Sequence, residues 1–131
     1  MGEIPVGAVL VDGNGNLLAE AHNRNEANQM PTHHAELLAV EAACRGRGSQ
    51  RLTDATVYVT LEPCPMCAGA IMNARIKRLV FGARDARAGA YGSVCNINDL
   101  PLNHKTEVTA GVLEEECAGV LKDFFKDLRK K

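Results

Sequence analysis

The sequence has no apolar run close to the ~18 residues that a membrane-spanning helix needs. Its opening, MGEIPVGAVL, lacks the basic start and long apolar stretch of a secretory signal. Internal repeats, low-complexity segments and obvious linkers are missing as well. With 131 residues, 46% hydrophobic and 24% charged, the chain is therefore expected to be one globular domain in the cytoplasm, without membrane contact.

An excess of basic charge is also missing, since the formal net charge is -1. The balance typical of nucleic-acid-binding domains is therefore not present over the whole chain. Basic residues cluster only locally, in CRGRGSQR, ARIKR and KDFFKDLRKK. Each cluster is compatible with a plain solvated face, so charge alone predicts no partner.

The chain has five cysteines, an odd number in a compartment expected to be reducing. A disulfide framework is therefore not expected, and the cysteines are better interpreted as thiols or metal ligands. They are Cys44, Cys64, Cys67, Cys95 and Cys117.

Hydrophobic periodicity predicts strands that alternate with helices, which is typical of an α/β layer structure with a shared sheet. GNGN is strong turn chemistry, so the first two strands should form a hairpin and make the sheet mixed. A long loop over 89–102 is expected to be functional. The predicted strands are 6–12, 17–23, 55–62, 78–83 and 106–110, and the predicted helices are 35–45, 65–75 and 111–131.

The clearest chemical motif is the CxxC pair Cys64 and Cys67, which follows a predicted strand ended by Pro63 and lies where the next helix starts. Helix starts stabilise thiolates, because free backbone N–H groups and the helix dipole favour negative charge. Two thiolates supply only two ligands. His34 would be a third, which leaves one tetrahedral position open for water, as in catalytic zinc sites.

Glu36 fits the same hypothesis. Zinc with two thiolates and a neutral imidazole has no net charge, so a carboxylate beside the bound water would help to remove its proton. Glu36 lies two residues after His34 at a predicted helix start, so both side chains can reach one cavity. The pattern predicts His34, Cys64 and Cys67 as metal ligands and Glu36 as the catalytic proton carrier.

Other interpretations of these residues remain open. The CxxC pair could be a redox pair at a helix start. It could also hold a structural zinc, with another cysteine as the fourth ligand. His33 could replace His34 as the ligand, and His34 and Glu36 could simply be polar residues where a helix begins.

The whole pattern resembles a known family. His34-Ala35-Glu36 followed by Pro63-Cys64-Pro65-Met66-Cys67 matches the H-x-E and P-C-x-x-C signature of zinc nucleobase deaminases. Over residues 3 to about 126, the chain is similar to bacterial tRNA-specific adenosine deaminases of the TadA type. The segments that carry this likeness are EIPVGAVLV, HNR, DATVYVTLEPCPMCAGAI, RLVFGARD, LNHKTEV and GVLEEECAGVLKDFF.

The resemblance implies a three-layer α/β/α cytidine deaminase-like fold with a central mixed five-stranded sheet. It implies one zinc ion per chain, a homodimer, and deamination of adenosine to inosine at the wobble position of a tRNA anticodon. Asn23 matches the family asparagine that hydrogen-bonds the base, and Asp85 matches an aspartate on the nucleic-acid side of the pocket. Asn103 and His104 match a family pair near the active site.

The sequence departs from the family pattern in two places. The family usually has a helix before EIPVGAV, whereas only Met1 and Gly2 precede Glu3 here, so residues 1–131 are expected to form a single deaminase domain without that helix. His33 and Met30 stand where alanine and aspartate are common. A deaminase of a free base or nucleotide, of guanine or cytosine type, and a zinc- or RNA-binding protein without turnover therefore remain alternatives.

Overall fold

A computed structural model of the chain describes residues 4–115, 119 and 123. These residues form five strands, three α-helices and one 3₁₀-helix. The strands are β1 (Gly7–Val11), β2 (Leu17–His22), β3 (Thr56–Leu61), β4 (Arg78–Ala83) and β5 (Glu107–Thr109). The helices are α1 (Asn25–Asn28), α2 (Ala35–Arg47) and α3 (Pro65–Asn73), and the 3₁₀-helix is Ile97–Asp99.

All five strands belong to one sheet in the order β2-β1-β3-β4-β5. Strand β1 pairs antiparallel with both β2 and β3. Strands β3, β4 and β5 run parallel to one another. The predicted mixed five-stranded sheet is therefore confirmed. The carboxyl ends of its three parallel strands lie at the same end of the sheet, so the residues that follow these strands can meet there.

The hairpin between β1 and β2 forms as its turn sequence predicts. The Asp12 side chain accepts hydrogen bonds from the backbone N–H groups of Asn14 and Asn16, each at 2.9 Å. Gly15 has φ of 84°, a left-handed conformation that glycine adopts without steric cost. These contacts fix the turn, and with it the register of the two strands.

The core lies between the sheet and helix α2, and it includes Ala68 and Ile71 of α3, which packs against α2. Helix α2 contacts β1, β2 and β3. The largest side chains without solvent exposure are Phe81, Leu10, Leu52, Ile71, Ile76 and Leu79. This packing fixes the starts of α2 and α3 relative to the ends of β3 and β4.

Several predicted boundaries move by one or two residues, and two expectations need comment. Part of the long loop over 89–102 is ordered into the 3₁₀-helix and an isolated bridge between Tyr91 and Asn96. The predicted helix over 111–131 lies mostly outside the described residues, as does Cys117. Among the residues described, no helix is long and apolar enough to cross a membrane.

Candidate metal and catalytic site

The predicted metal ligands lie at the starts of two helices that pack against each other. His34 is the N-cap of α2 and Cys64 is the N-cap of α3, and both have extended backbone, with ψ of 154° and 172°. Proline at the first position of α3 has the φ that a helix needs and no N–H group to leave unpaired. The two helix starts therefore bring together residues that are 30 positions apart in the sequence.

The donor atoms of the three residues have the spacing of a tetrahedral zinc site. His34 Nδ1 lies 3.6 Å from Cys64 Sγ and 3.6 Å from Cys67 Sγ. Zinc–sulfur and zinc–nitrogen bonds of about 2.3 and 2.1 Å, at the tetrahedral angle of about 109°, require a sulfur–nitrogen separation of about 3.6 Å. All three donor atoms lie within 4.8 Å of one another. These residues fit a zinc ion, with Nδ1 as the imidazole ligand.

The rival ligands lie elsewhere in the described part of the chain. His33 Nδ1 is 2.8 Å from Asn28 Nδ2, so this ring contacts helix α1 rather than the sulfurs. Cys44 is half-buried and Cys95 is exposed, and neither belongs to the group of three donors. The structure therefore gives His34 the position that the H-x-E spacing predicts.

Hydrogen bonding in this group already favours a thiolate. The hydrogen bond from Cys67, helped by a weaker effect of His34, outweighs the opposing effect of burial and lowers the pKa of Cys64 to about 4. The pKa of Cys67 is raised, first because its thiol donates that hydrogen bond and then because it is buried. The hydrogen bond to Cys64 also raises the pKa of His34. A cation in this position would compensate the negative charge on sulfur.

Glu36 lies in the first turn of α2 and is only 4% exposed. Burial raises the pKa of its carboxyl group to about 7, because the charged form loses its hydration. The carboxyl group faces a cavity of about 230 Å³ that His34, Cys64, Asn23 and Asp85 also line. A carboxyl group with this pKa can both accept and donate a proton at neutral pH.

Asn23, the predicted base contact, forms one wall of this cavity and is 6% exposed. Its Oδ1 accepts a hydrogen bond of 2.8 Å from the backbone N–H of Ala35, the first residue of α2. This contact satisfies one of the unpaired donors at the helix start and fixes the orientation of the amide. The role of Asn23 in binding a base stays a prediction.

Asp85 lines the same cavity from the segment that follows β4. Its Oδ1 accepts hydrogen bonds from the backbone N–H groups of Arg87 at 2.9 Å and Ala88 at 3.2 Å. The backbone N–H of Asp85 itself donates to Glu62 Oε1 at 3.0 Å. The side chain thus stabilises a turn at the cavity wall, and its predicted contact with nucleic acid stays a prediction.

Glu62 is a residue of this site that the sequence did not reveal. It is 1% exposed and directly precedes Pro63 and the ligand Cys64. Burial alone would raise its carboxyl pKa, but hydrogen bonds from Ser93, Asp85 and Tyr91 outweigh burial and lower it. The one available signal was an acidic residue at the end of an otherwise apolar strand. Its partners lie 23 to 31 residues downstream, so spacing could not identify them.

The pair Asn103 and His104 does not lie at this site. Both residues line a separate cavity with Arg51, Arg75 and Lys77, near the opposite ends of β3 and β4. His104 Nε2 is 2.8 Å from the carbonyl oxygen of Ile76, two residues before β4 begins. The expectation that this pair is near the active site is therefore wrong. The ring instead ties the segment before β5 to the segment before β4.

Comparison with known proteins identifies a family of deaminases. The family model of the MafB19-like deaminases matches residues 1–129. The chain is 52% identical to a tRNA-specific adenosine deaminase of Bacillus subtilis, over 99% of this chain and 81% of that protein. It is 50% identical to a tRNA-specific adenosine deaminase of Haemophilus influenzae, over 99% of this chain and 76% of that protein.

A solved structure from work on A-to-I editing by tRNA:A34 deaminases at the wobble position of transfer RNA has the same fold. It superimposes with a TM-score of 0.85 at 43% identity, covering 88% of this chain and 84% of that one. The resemblance seen in the sequence and the predicted cytidine deaminase-like fold are both confirmed. The chain belongs to the MafB19-like deaminase family and, with these relatives, to the tRNA-specific adenosine deaminases.

Proposed function

We propose that this protein hydrolytically deaminates adenosine to inosine at the wobble position of a tRNA anticodon, with zinc held by His34, Cys64 and Cys67. One observation carries the proposal: three donor atoms have tetrahedral spacing, and two of them, on His34 and Cys64, belong to residues that line one small cavity with the buried Glu36. The activity named for the relatives from Bacillus subtilis and Haemophilus influenzae supports the choice of substrate.

Glu36 carries the protons of the reaction. Zinc bound at this site would act as a Lewis acid that lowers the pKa of a neighbouring water. Glu36 accepts the proton of the attacking water and transfers it to N1 of adenine as the new C6–O bond forms. It then takes the proton of the new C6 hydroxyl group and delivers it to the departing amino group. The C6–N bond breaks as the C6=O bond of inosine forms, and ammonia leaves. The pKa of about 7 for Glu36 suits both directions of transfer.

The cavity favours a single base that has left its stack. Its volume of about 230 Å³ is below the ~300–1,000 Å³ of ordinary small-molecule pockets, which leaves room for a planar base but not for a whole nucleotide. An unpaired anticodon loop offers such a base at low cost, whereas a duplex does not. The Nδ2 group of Asn23 donates to the base, since Oδ1 already accepts from Ala35. Asp85 contacts the RNA at the cavity wall.

The direct test compares Glu36→Gln with the wild-type protein on an anticodon stem-loop whose anticodon begins with adenosine. The variant should keep one zinc per chain by elemental analysis but form no inosine, because glutamine cannot carry the proton. Glu41→Gln, an exposed position on the same helix, is the matched control and should remain active. Undiminished inosine formation by Glu36→Gln would remove Glu36 from the reaction.

The same assay separates the rival functions. Ammonia release from guanine or cytidine, with none from the stem-loop, would identify a free-base or nucleoside deaminase. Zinc content and stem-loop binding without inosine would identify a binding protein without turnover. Wild-type inosine formation that depends on the adenosine at the first anticodon position is the result expected here.

Likeness to bacterial tRNA adenosine deaminases also supports a homodimer in the cytoplasm. Sedimentation equilibrium of the zinc-loaded protein should give twice the mass of one chain. A single-chain mass at micromolar concentration would contradict the dimer and leave the reaction chemistry untouched.

A further inference from the structure

Glu62 is a charged side chain that is buried next to the metal-ligand segment, which is an unusual position for a carboxylate. It is among the largest side chains with less than 2% exposure, at a place where the strand β3 passes into the ligand segment. An ionised carboxylate loses its hydration on burial and persists only where hydrogen-bond donors replace water. The identity of those donors indicates what the side chain does.

Within the described part of the chain, the hydrogen bonds to the Glu62 carboxylate all come from one loop, residues 85–93. Oε1 accepts from the backbone N–H of Asp85 at 3.0 Å and from the hydroxyl of Ser93. Oε2 accepts from the backbone N–H groups of Tyr91 at 2.9 Å and Ser93 at 3.2 Å. The two oxygens thus use about the four acceptor sites that a carboxylate offers. Donors come from both ends of the loop, so the carboxylate holds it closed.

The middle of the loop packs closely against the same carboxylate at Gly89. A Cβ atom built on Gly89 would overlap the terminal carbon and both oxygens of Glu62. Only glycine allows the backbone to come this close to Glu62, because any side chain would clash with the carboxylate. The backbone angle φ at this position is not the reason. A further hydrogen bond of 2.9 Å from the N–H of Ala90 to the carbonyl oxygen of Pro63 ties the loop to the segment that enters α3. The loop is therefore built around Glu62.

This loop carries one residue that lines the cavity and one residue of the core. Asp85, at its start, lines the cavity, and its own N–H is one of the donors to Glu62. Tyr91 is 5% exposed, and its ring is packed into the core. Loss of the Glu62 carboxylate would leave the backbone N–H groups of both residues without these hydrogen bonds. The cavity wall on the side of Asp85 would then be mobile.

We propose that Glu62 is a positioning residue for substrate binding: it fixes loop 85–93, and through it Asp85, against the cavity that receives the base. The proposal rests on the proposed function, because it assigns the loop to contact with RNA. Glu62 itself does not act on the reacting atoms. Its loss should therefore weaken substrate binding more than it slows turnover.

The test is Glu62→Gln in the zinc-loaded protein. Glutamine has the same shape, but its NH₂ group faces N–H donors, so at least one donor loses its acceptor. The backbone amides of Asp85, Tyr91 and Ser93 should exchange with deuterium about tenfold faster or more. KM for the adenosine stem-loop should rise about tenfold, while kcat changes less than about threefold and zinc content is unchanged. Glu41→Gln is the matched control and should alter none of these values.

Ser93→Ala is the second variant, because it removes one hydroxyl donor and keeps the buried carboxylate. It should raise KM by a few-fold, and the double variant should be no worse than Glu62→Gln alone, since both act on one interaction. Unchanged exchange and unchanged KM in Glu62→Gln would overturn the proposal. Loss of kcat with unaltered KM would also overturn it.

These outcomes are separable from failure of the proposed function. Amide exchange is measured without RNA and reports directly on the link between Glu62 and the loop. If the wild-type protein formed no inosine, the proposed function would fail, whereas slow exchange that accelerates in Glu62→Gln would still support the positioning of the loop. Normal exchange in that variant would refute the positioning whatever the substrate.

Discussion

Replacing Glu36 by glutamine should make the metal-free protein more stable at neutral pH, although it removes the proposed proton carrier. Burial raises the pKa of Glu36 from an ordinary value of 4.5 to about 7. The native state therefore resists ionisation that the unfolded state undergoes freely. Well below pH ~4.5 both states hold the proton, so ionisation of Glu36 has no effect on the free energy of unfolding.

The size of the effect follows from the pKa values. Since each pKa unit corresponds to about 1.4 kcal/mol, the rise to about 7 costs the native state about 3 kcal/mol once the pH is above 7. The penalty grows as the pH rises from ~4.5 to ~7 and then levels off. Glutamine is neutral at every pH, so the variant does not have this penalty. The variant should therefore gain about 3 kcal/mol over the wild-type protein at pH 8 and almost nothing at pH 4.

Urea denaturation of both proteins in the presence of a chelator, at pH 4 and pH 8, measures this difference. Comparing the two proteins at each pH cancels the titration of the shared groups that lie far from Glu36. Glu41→Gln, exposed on the same helix, should match the wild-type protein at both values. A free-energy difference that does not change with pH would refute the argument, as would a variant less stable than the wild-type protein at pH 8.

Three further predictions concern the site and the core. His34→Ala should reduce bound zinc to well below one per chain by elemental analysis, whereas His33→Ala should keep it, because only Nδ1 of His34 lies beside both sulfurs. Asn23→Ala should lower stability by about 1–2 kcal/mol in urea denaturation and raise KM for the stem-loop, since the start of α2 loses an acceptor. Phe81→Ala, at a position with no exposure, should cost about 3–5 kcal/mol. The exposed Val94→Ala should change the free energy of unfolding by less than about 0.5 kcal/mol.

Elements with strong local signals could be predicted from the sequence. Strand β4 has the predicted bounds, and α3 begins at the predicted proline. Helix α2 was expected to stop at Arg45 but continues to Arg47. Gly46 fits within the helix, and the left-handed conformation of Gly48, with φ of 70°, is what ends it. Two glycines follow the predicted end of the helix, and the sequence does not reveal which of them adopts the left-handed conformation.

The features that escaped prediction depend on tertiary contacts. Helix α1 has four residues and buries none of them, so it has no hydrophobic period to detect. The three donor atoms and Glu36 were recognisable because two short motifs preserve their spacing. Glu62 has no such motif, since its partners belong to a loop whose path depends on the whole sheet. Asn103 and His104 were misplaced because the resemblance fixed their sequence context but not the sheet edge to which they belong.

The placement of His34 and Cys64 at helix starts limits where this chain can change length. A helix turns about 100° per residue, so one residue inserted between Cys64 and Cys67 would turn the second sulfur away from the first. The short segment 49–51, between the end of α2 and the buried Leu52, carries no ligand, and loops of that kind accept extra residues at little cost. Length variation among related chains should therefore accumulate there and spare the motif segments.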